Sequence, residues 1–330
     1  MMQISPETQL FIREHSSDDV RVLALQAKKY PDIDMPTAIT QIAGRKVAAE
    51  KIPSWWEIEK IWYPKHLSLE QCSSEITARY KARLLQGDSL TDLTGGFGID
   101  CSFLATGFKS ATYVERQEEL CEIAAHNFPV LNLNHINIKN EDGVTYLQAM
   151  SPVDCLFLDP ARRNEHGGKT VAISDCEPNV AELEELLLQK ANRVMIKLSP
   201  MLDLSLALKE LKQTQEVHIL SVNNECKELL ILLGQTSPAE ISIHCVNLFT
   251  KGTQKEQHFV FTREQEQCSE CTYTDSLETY LYEPNASLLK AGAFRSIAAA
   301  YPVRKLHPNS HLYTSDTFIE NFPGRIFRIV

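Results

Sequence analysis

Asp92-Leu93-Thr94-Gly95-Gly96-Phe97-Gly98-Ile99-Asp100 follows an apolar run and opens a helical pattern. Its three glycines stand where a ligand must come close to the backbone. Working outward, short apolar runs alternate with helix-like segments, the pattern of a parallel sheet covered on both faces. Strands are expected over 89–93, 111–115, 136–139, 154–159, 193–198, 217–222 and 229–233. Helices are expected over 69–85, 99–106, 117–127, 143–150, 179–190 and 202–214. The fold class expected is α/β, a doubly wound, seven-stranded, mostly parallel sheet. Residues 223–227 between the last two strands are too few for a crossover helix, so those strands should form an antiparallel hairpin at the sheet edge.

The flanks read differently. From 5 to 66 the apolar residues have helical spacing, with Val20, Leu23, Leu25 and Ala27 in one segment and Ile39, Ile42, Ala43 and Val47 in the next. Trp55, Trp56 and Trp62 are read as core aromatics near a domain junction. Beyond Gly234 a hairpin over 241–249 and 258–261, a helix over 285–299 and a strand over 324–330 suggest a small α+β unit, and the closing apolar run is read as a strand cut short. The expected division is therefore an N-terminal helical region, 1–68, a central domain, 69–236, and a C-terminal α+β accessory domain, 237–330.

Composition limits the function classes. With 33 Lys+Arg against 43 Asp+Glu, a net charge of −10, nucleic acid can bind only at a local basic patch. No run of about 18 apolar residues and no secretory signal are visible, so no membrane partner and a cytoplasmic location are expected. The nine scattered cysteines read as reduced thiols. Cys268 and Cys271 have half a zinc spacing with only Cys245 as a conceivable third ligand, and His307 and His311 lack ligand company, so no metal is expected.

Candidate site residues gather at the strand ends. Glu115 closes the second strand about twenty residues after the glycine turn, where a carboxylate can accept from both ribose hydroxyls. Asp142 ends the third strand and reads equally as acceptor of an adenine amine or as a helix N-cap. The fourth strand delivers Leu158-Asp159-Pro160-Ala161-Arg162-Arg163, an acid, a rigid turn and two guanidinium groups that suit an anionic substrate. Lys197 ends the fifth strand as a second charge for the acceptor site or as a lysine snorkelling out of an apolar strand. Lys290, Arg295, Arg304, Lys305 and His307, with Tyr301, form a basic cluster that could follow an RNA backbone.

Asp-x-Thr-x-Gly-x-Gly, the acid at the second strand, Asp-Pro at the fourth and the antiparallel last strand resemble a class I S-adenosylmethionine-dependent methyltransferase over about residues 69–234. DLTGGFGID with LDPARR, and Tyr282-Glu283-Pro284-Asn285 followed by Gly292-Ala293-Phe294, are similar to bacterial THUMP-like RNA methyltransferases. The resemblance implies that Asp92, Thr94, Gly95, Gly96 and Gly98 hold the methionine end of S-adenosylmethionine. Glu115 then takes the ribose and Asp142 the adenine amine. Asp159 and Pro160 line the place of methyl transfer, with Arg162 and Lys197 beside them, and Arg162, Arg163, Arg295, Arg304 and Lys305 meet RNA. The segment 69–81 would line the cofactor site. Asp159-Pro160-Ala161-Arg162 lacks the aromatic that methylation of exocyclic base nitrogens commonly uses. Three other readings stand beside this one: a methyltransferase of a protein or small molecule, a nicotinamide-dinucleotide oxidoreductase, and a non-catalytic RNA-binding protein. The oxidoreductase calls for a crossover helix at 223–227.

Overall fold

A computed structural model describes residues 4–162, 172–236 and 238–330. The chain forms two compact units, Met1–Phe157 and Leu158–Val330.

The first unit begins with helices α1 (Pro6–Glu14), α2 (Val20–Leu25), α3 (Met35–Lys51) and α4 (Pro53–Trp56). Asp19 and Asp34 cap α2 and α3 with their carboxylates, and Pro36 fits the first turn of α3, where no N–H partner is needed. Phe11, Leu23, Met35, Ala38 and Ile42 close one core, while Ile52, Trp55, Ile61 and Tyr63 pack with Phe97 in another. Of the three tryptophans, Trp55 is core, Trp62 stacks on His126 at 3.7 Å, and Trp56 is exposed with the Arg45 guanidinium 5.6 Å above its ring.

Helices α5 (His66–Gln71) and α6 (Glu75–Ala82) stand where a single helix over 69–85 was expected. The break falls at Cys72-Ser73-Ser74, where the hydroxyls of Ser73 and Ser74 are of the kind that competes for backbone hydrogen bonds and favours helix starts over interiors. Strands β1 (Ser89–Asp92), β2 (Ser110–Glu115), β3 (Ile136–Asn140) and β4 (Val153–Leu158) alternate with α7 (Ile99–Ala105), α8 (Glu118–Val130) and α9 (Gly143–Ala149). β1 pairs in parallel with β2 and with β4, and β2 with β3, so Asp92 lies opposite Tyr113 and Phe157.

In the second unit, two short strands, β5 (Ala161–Arg162) and β6 (Cys176–Glu177), pair antiparallel. They are followed by α10 (Val180–Lys190), β7 (Ala191–Leu198), α11 (Leu204–Glu210), β8 (Thr214–Val222) and β9 (Glu225–Gly234). Asp203 caps α11 through the Leu206 N–H, and Thr214 already belongs to β8, so this helix is shorter than 202–214. β9 runs antiparallel to both β7 and β8 and lies between them, not at an edge. The β8–β9 connection is Asn223-Asn224, both at positive φ (49° and 67°), a two-residue turn whose twist suits a hairpin. The crossover helix that the oxidoreductase reading demands is not there.

β10 (Ser242–Leu248) pairs in parallel with β8, and β11 (Glu256–Thr262) runs antiparallel to β10. The hairpin assigned from sequence to the accessory domain thus continues the β8 strand system. Four parallel strands in the first unit and five mixed strands in the second exceed the seven expected, because β10 and β11 join them. The fold class is the expected one, mixed α/β with mostly parallel strands, plus a separate small antiparallel sheet near the C-terminus. After α12 (Arg263–Cys268), that sheet has β12 (Tyr280–Pro284) flanked by β14 (Tyr313–Ser315) and β15 (Gly324–Arg328), with β13 (Arg304–Lys305) beside β14. Gly292 at φ 76° ends α13 (Ala286–Ala291) before α14 (Ser296–Ala300), dividing the helix expected over 285–299. No helix among the described residues is long and apolar enough to cross a membrane.

The hairpin turn yields a first prediction. Asn224 Oδ1 accepts from the Ala286 N–H at 2.8 Å, and alanine at this positive φ is strained. Asn224→Ala should lower stability by about 1–3 kcal/mol in urea unfolding. Asn224→Gly should recover the part due to φ, and equal losses in both variants would disprove the strain.

Candidate functional site

The glycine turn is held from three sides within the first unit. Asp92, 1% exposed at the end of β1, accepts from the Thr94 N–H at 3.0 Å, and the Gly95 N–H donates to Val114 O at 2.8 Å. Glu115, at the end of β2, accepts from the Gly96 N–H at 2.9 Å through Oε2 and from the Gln117 N–H at 2.8 Å through Oε1. The Tyr113 hydroxyl donates to Gly96 O at 2.5 Å, and burial, reinforced by Glu115, pushes this phenol well above its usual range. It therefore keeps its proton and its hydrogen bond.

The glycines have different reasons to be glycine. A Cβ on Gly95 would stand 2.2 Å from the Tyr113 ring, whereas one on Gly96, at φ 53°, would meet nothing nearer than Thr94 O at 3.8 Å. Gly96 therefore leaves bare backbone on an open side, beside an acid, at the start of α7. Gly143 approaches Leu93 O so closely that a Cβ would lie 2.2 Å from it. Its neighbour Asp142 is exposed and caps α9 through the Val144 and Thr145 N–H groups at 3.1 and 3.0 Å. The N-cap reading is thus present in the fold, through Oδ1 of Asp142. Asp92, Thr94, Gly95, Gly96, Gly98, Glu115 and Asp142 thus lie on and around one turn of the first unit, whereas Asp159, also expected to meet the cofactor, belongs to the second.

Under this turn lies a cluster that sequence reasoning missed. Lys81 of α6 is fully buried, with Nζ 3.0 Å from Asp100 Oδ1 and donating to Ser73 Oγ at 2.8 Å, while Ser73 Oγ donates to Asp100 Oδ2 at 2.6 Å. Asp100 is in the first turn of α7, directly after the glycines, so the ion pair ties the α5–α6 break to the base of the cradle. A signal existed: Lys81 is three residues after Ala78 and four before Leu85, both buried, which puts it on the apolar face.

In the second unit, Asp159 Oδ2 accepts from Lys197 Nζ at 2.5 Å. Lys197 is buried rather than snorkelling, and the charge-assisted bond fixes the carboxylate of Asp159. Pro160 is buried, and Arg162 contributes backbone to β5. Arg163 lies outside the described residues.

The basic cluster of the C-terminal part is not one free patch. Lys305 is 3% exposed, donates to Pro308 O at 2.7 Å and stands 5.5 Å over the Phe294 ring, so its role is to hold the small domain. That position corrects its expected contact with RNA. Arg304 pairs with Glu278, and Lys290 donates to Leu202 O at 2.7 Å. Arg295 is exposed, with its backbone N–H bound to Glu266. Cys268 and Cys271 join no grouping of three ligand atoms among the described residues, but Glu216, His218 and His244 do, with all three atoms within 4.8 Å of one another.

The crystal structure of a "putative methyltransferase" from Porphyromonas gingivalis W83 is 35% identical to this protein, with a TM-score of 0.87 over 100% of this chain and 83% of that one. The chain belongs to the same methyltransferase family. Residues 280–323 of the methyltransferase also match a family described as a ferredoxin-like domain, the region of the small sheet. A modification subunit of a putative type I restriction enzyme from Vibrio vulnificus YJ016 follows at 12% identity and a TM-score of 0.41, covering 61% of this chain and 56% of that one. An rRNA methylase from Streptococcus thermophilus follows at 14% and 0.34, covering 48% and 93%. Both are too distant to carry any inference. A search of curated proteins found no match.

Proposed function

We propose that this methyltransferase uses S-adenosylmethionine and methylates a nucleotide in RNA. The observation that carries the cofactor reading is Glu115: an acid at the carboxyl end of the second strand, fixed against the bare Gly96 backbone, is placed to accept hydrogen bonds from a ribose. Asp92 and the Gly95–Gly98 turn hold the methionine end, and Asp142 accepts from the adenine amine while keeping its cap. The bound cofactor supplies an activated sulfonium methyl, so the protein's task is alignment. Asp159 and Pro160 line the acceptor side, and Lys197 is a positioning residue that fixes the Asp159 carboxylate. An RNA acceptor is supported by Arg162 and Arg163, whose planar forks match phosphate, and by exposed Arg295. The motifs DLTGGFGID and LDPARR support a THUMP-like member, and a cytoplasmic location is part of the same proposal. Its division is a helical region over 1–68, a catalytic domain enlarged by β10 and β11, and a C-terminal accessory domain.

Calorimetric titration with S-adenosylhomocysteine and, separately, NADH tests the cofactor. The homocysteine compound should bind at micromolar strength, and Glu115→Gln should weaken it about ten- to a hundredfold. Glu115→Ala should weaken it further, because the Gly96 N–H then loses its acceptor. Tighter binding of NADH, or no binding of the homocysteine compound, would overturn the reading. Transfer of labelled methyl groups to total RNA is the assay for the acceptor.

A further inference from the structure

The Glu216, His218 and His244 grouping belongs to the second unit and to none of the roles above. Glu216 and His218 are two residues apart on β8, so the pleat puts both on one face. The parallel register sets His244 of β10 directly beside His218. One strand further, His258 of β11 reaches the same group: His244 Nδ1 and His258 Nε2 are 3.2 Å apart. His218 Nε2 and Glu216 Oε2 are also 3.2 Å apart.

We infer that Glu216, His218, His244 and His258 form a binding site for a divalent transition cation of the zinc type, which staples β10 and β11 to β8. A tetrahedral zinc site with ligands at 2.0–2.1 Å has ligand atoms about 3.3 Å from one another. Two of the ligand pairs already have that spacing. The His218 and His244 rings are stacked at 4.3 Å between centroids, and the ligand atoms of Glu216, His218 and His244 lie within 4.8 Å of one another, so closing on a cation requires the rings to leave the stack. Three imidazoles and one carboxylate are borderline donors that suit zinc or cobalt better than magnesium or calcium. Arg193 Nη2 binds Glu216 Oε1 at 2.9 Å and leaves Oε2 directed at His218, so the guanidinium orients the carboxylate instead of competing for it. The group grades from His218, 2% exposed, to exposed His258, which gives a cation a way in from solvent. Four protein ligands make a closed, structural site rather than a catalytic one.

The test uses the full chain, stripped with a chelator and titrated with Zn²⁺ alone and with Co²⁺ alone. One equivalent should bind, Co²⁺ should give the intense visible bands of tetrahedral coordination, and Zn²⁺ should raise the melting temperature. His244→Ala should weaken Zn²⁺ binding about a hundredfold or more and abolish the thermal shift. His258→Asn changes an exposed residue, so it tests the site even where His244→Ala folds poorly, and should weaken Zn²⁺ at least tenfold. His126→Ala, in the other unit, should leave Zn²⁺ affinity and the Zn²⁺-induced thermal shift unchanged. Zn²⁺ binding equal in wild type and His258→Asn, or octahedral Co²⁺ spectra, would overturn the proposal, and the homocysteine titration is independent of either result.

Discussion

Lys81→Met should destabilise the protein by about 3–5 kcal/mol in urea unfolding, the largest loss expected of any single change described. The replaced ammonium is fully buried and 3.0 Å from Asp100, so its removal takes a cationic partner from a carboxylate that is itself largely shielded from water. The cost is specific to breaking the pair. Lys81→Met combined with Asp100→Asn removes both charges and keeps an acceptor for Ser73, and should recover most of the stability. Because Asp100 is in the first turn of α7, the single variant should also lose homocysteine-compound binding in conditions where it is still folded. A single variant that unfolds within about 1 kcal/mol of wild type would show that the pair contributes nothing.

Gly95→Ala should come next, through overpacking. Its new Cβ would meet the Tyr113 ring at 2.2 Å, and that ring is pinned by its own bond to Gly96 O and by Phe128 edge-on at 5.5 Å. Nothing nearby is a flexible side-chain end, so the loop must move, at a cost of about 1–3 kcal/mol in stability. Cofactor affinity should fall about a hundredfold, since the same shift breaks the Gly95 to Val114 bond. Gly96→Ala is the contrast: its Cβ enters open space and costs only the strain of positive φ, about 1–2 kcal/mol. Tyr113→Leu in the Gly95→Ala background should relieve part of the loss. A Gly95→Ala loss that Tyr113→Leu does nothing to relieve would refute the steric account.

The parts of this fold that local chemistry decides were readable in the chain. The glycine turn and the acids closing β1 and β2 depend on residues adjacent in sequence, and the structure has them where spacing put them; the β8–β9 hairpin was read too, but with a longer connection, 223–227, and at an edge that β9 does not occupy. What escaped depends on partners far apart. Lys81 and Asp100 are 19 residues apart and read singly as an ordinary surface lysine and a helix-start acid. The attachment of β10 to β8 was missed because an alternating run signals a strand but not its partner. Glu216, His218, His244 and His258 are scattered singly along the chain, and only the register of three strands makes them a group. Lys305 read as a phosphate contact because a basic residue looks solvated until burial is known.

The position of β9 governs how the chain can be assembled in time. β7 and β8 are made first, yet neither pairs with the other; each has its hydrogen-bonding partner in Glu225–Gly234, which leaves the ribosome after both. Until that segment slots between them, two apolar strands present open edges, the state most prone to join another chain. The β8–β9 hairpin is local and can form quickly, so the slow event is the docking of that finished hairpin onto β7. Any nascent chain stalled before Glu225 is therefore an aggregation hazard and a natural client for chaperones.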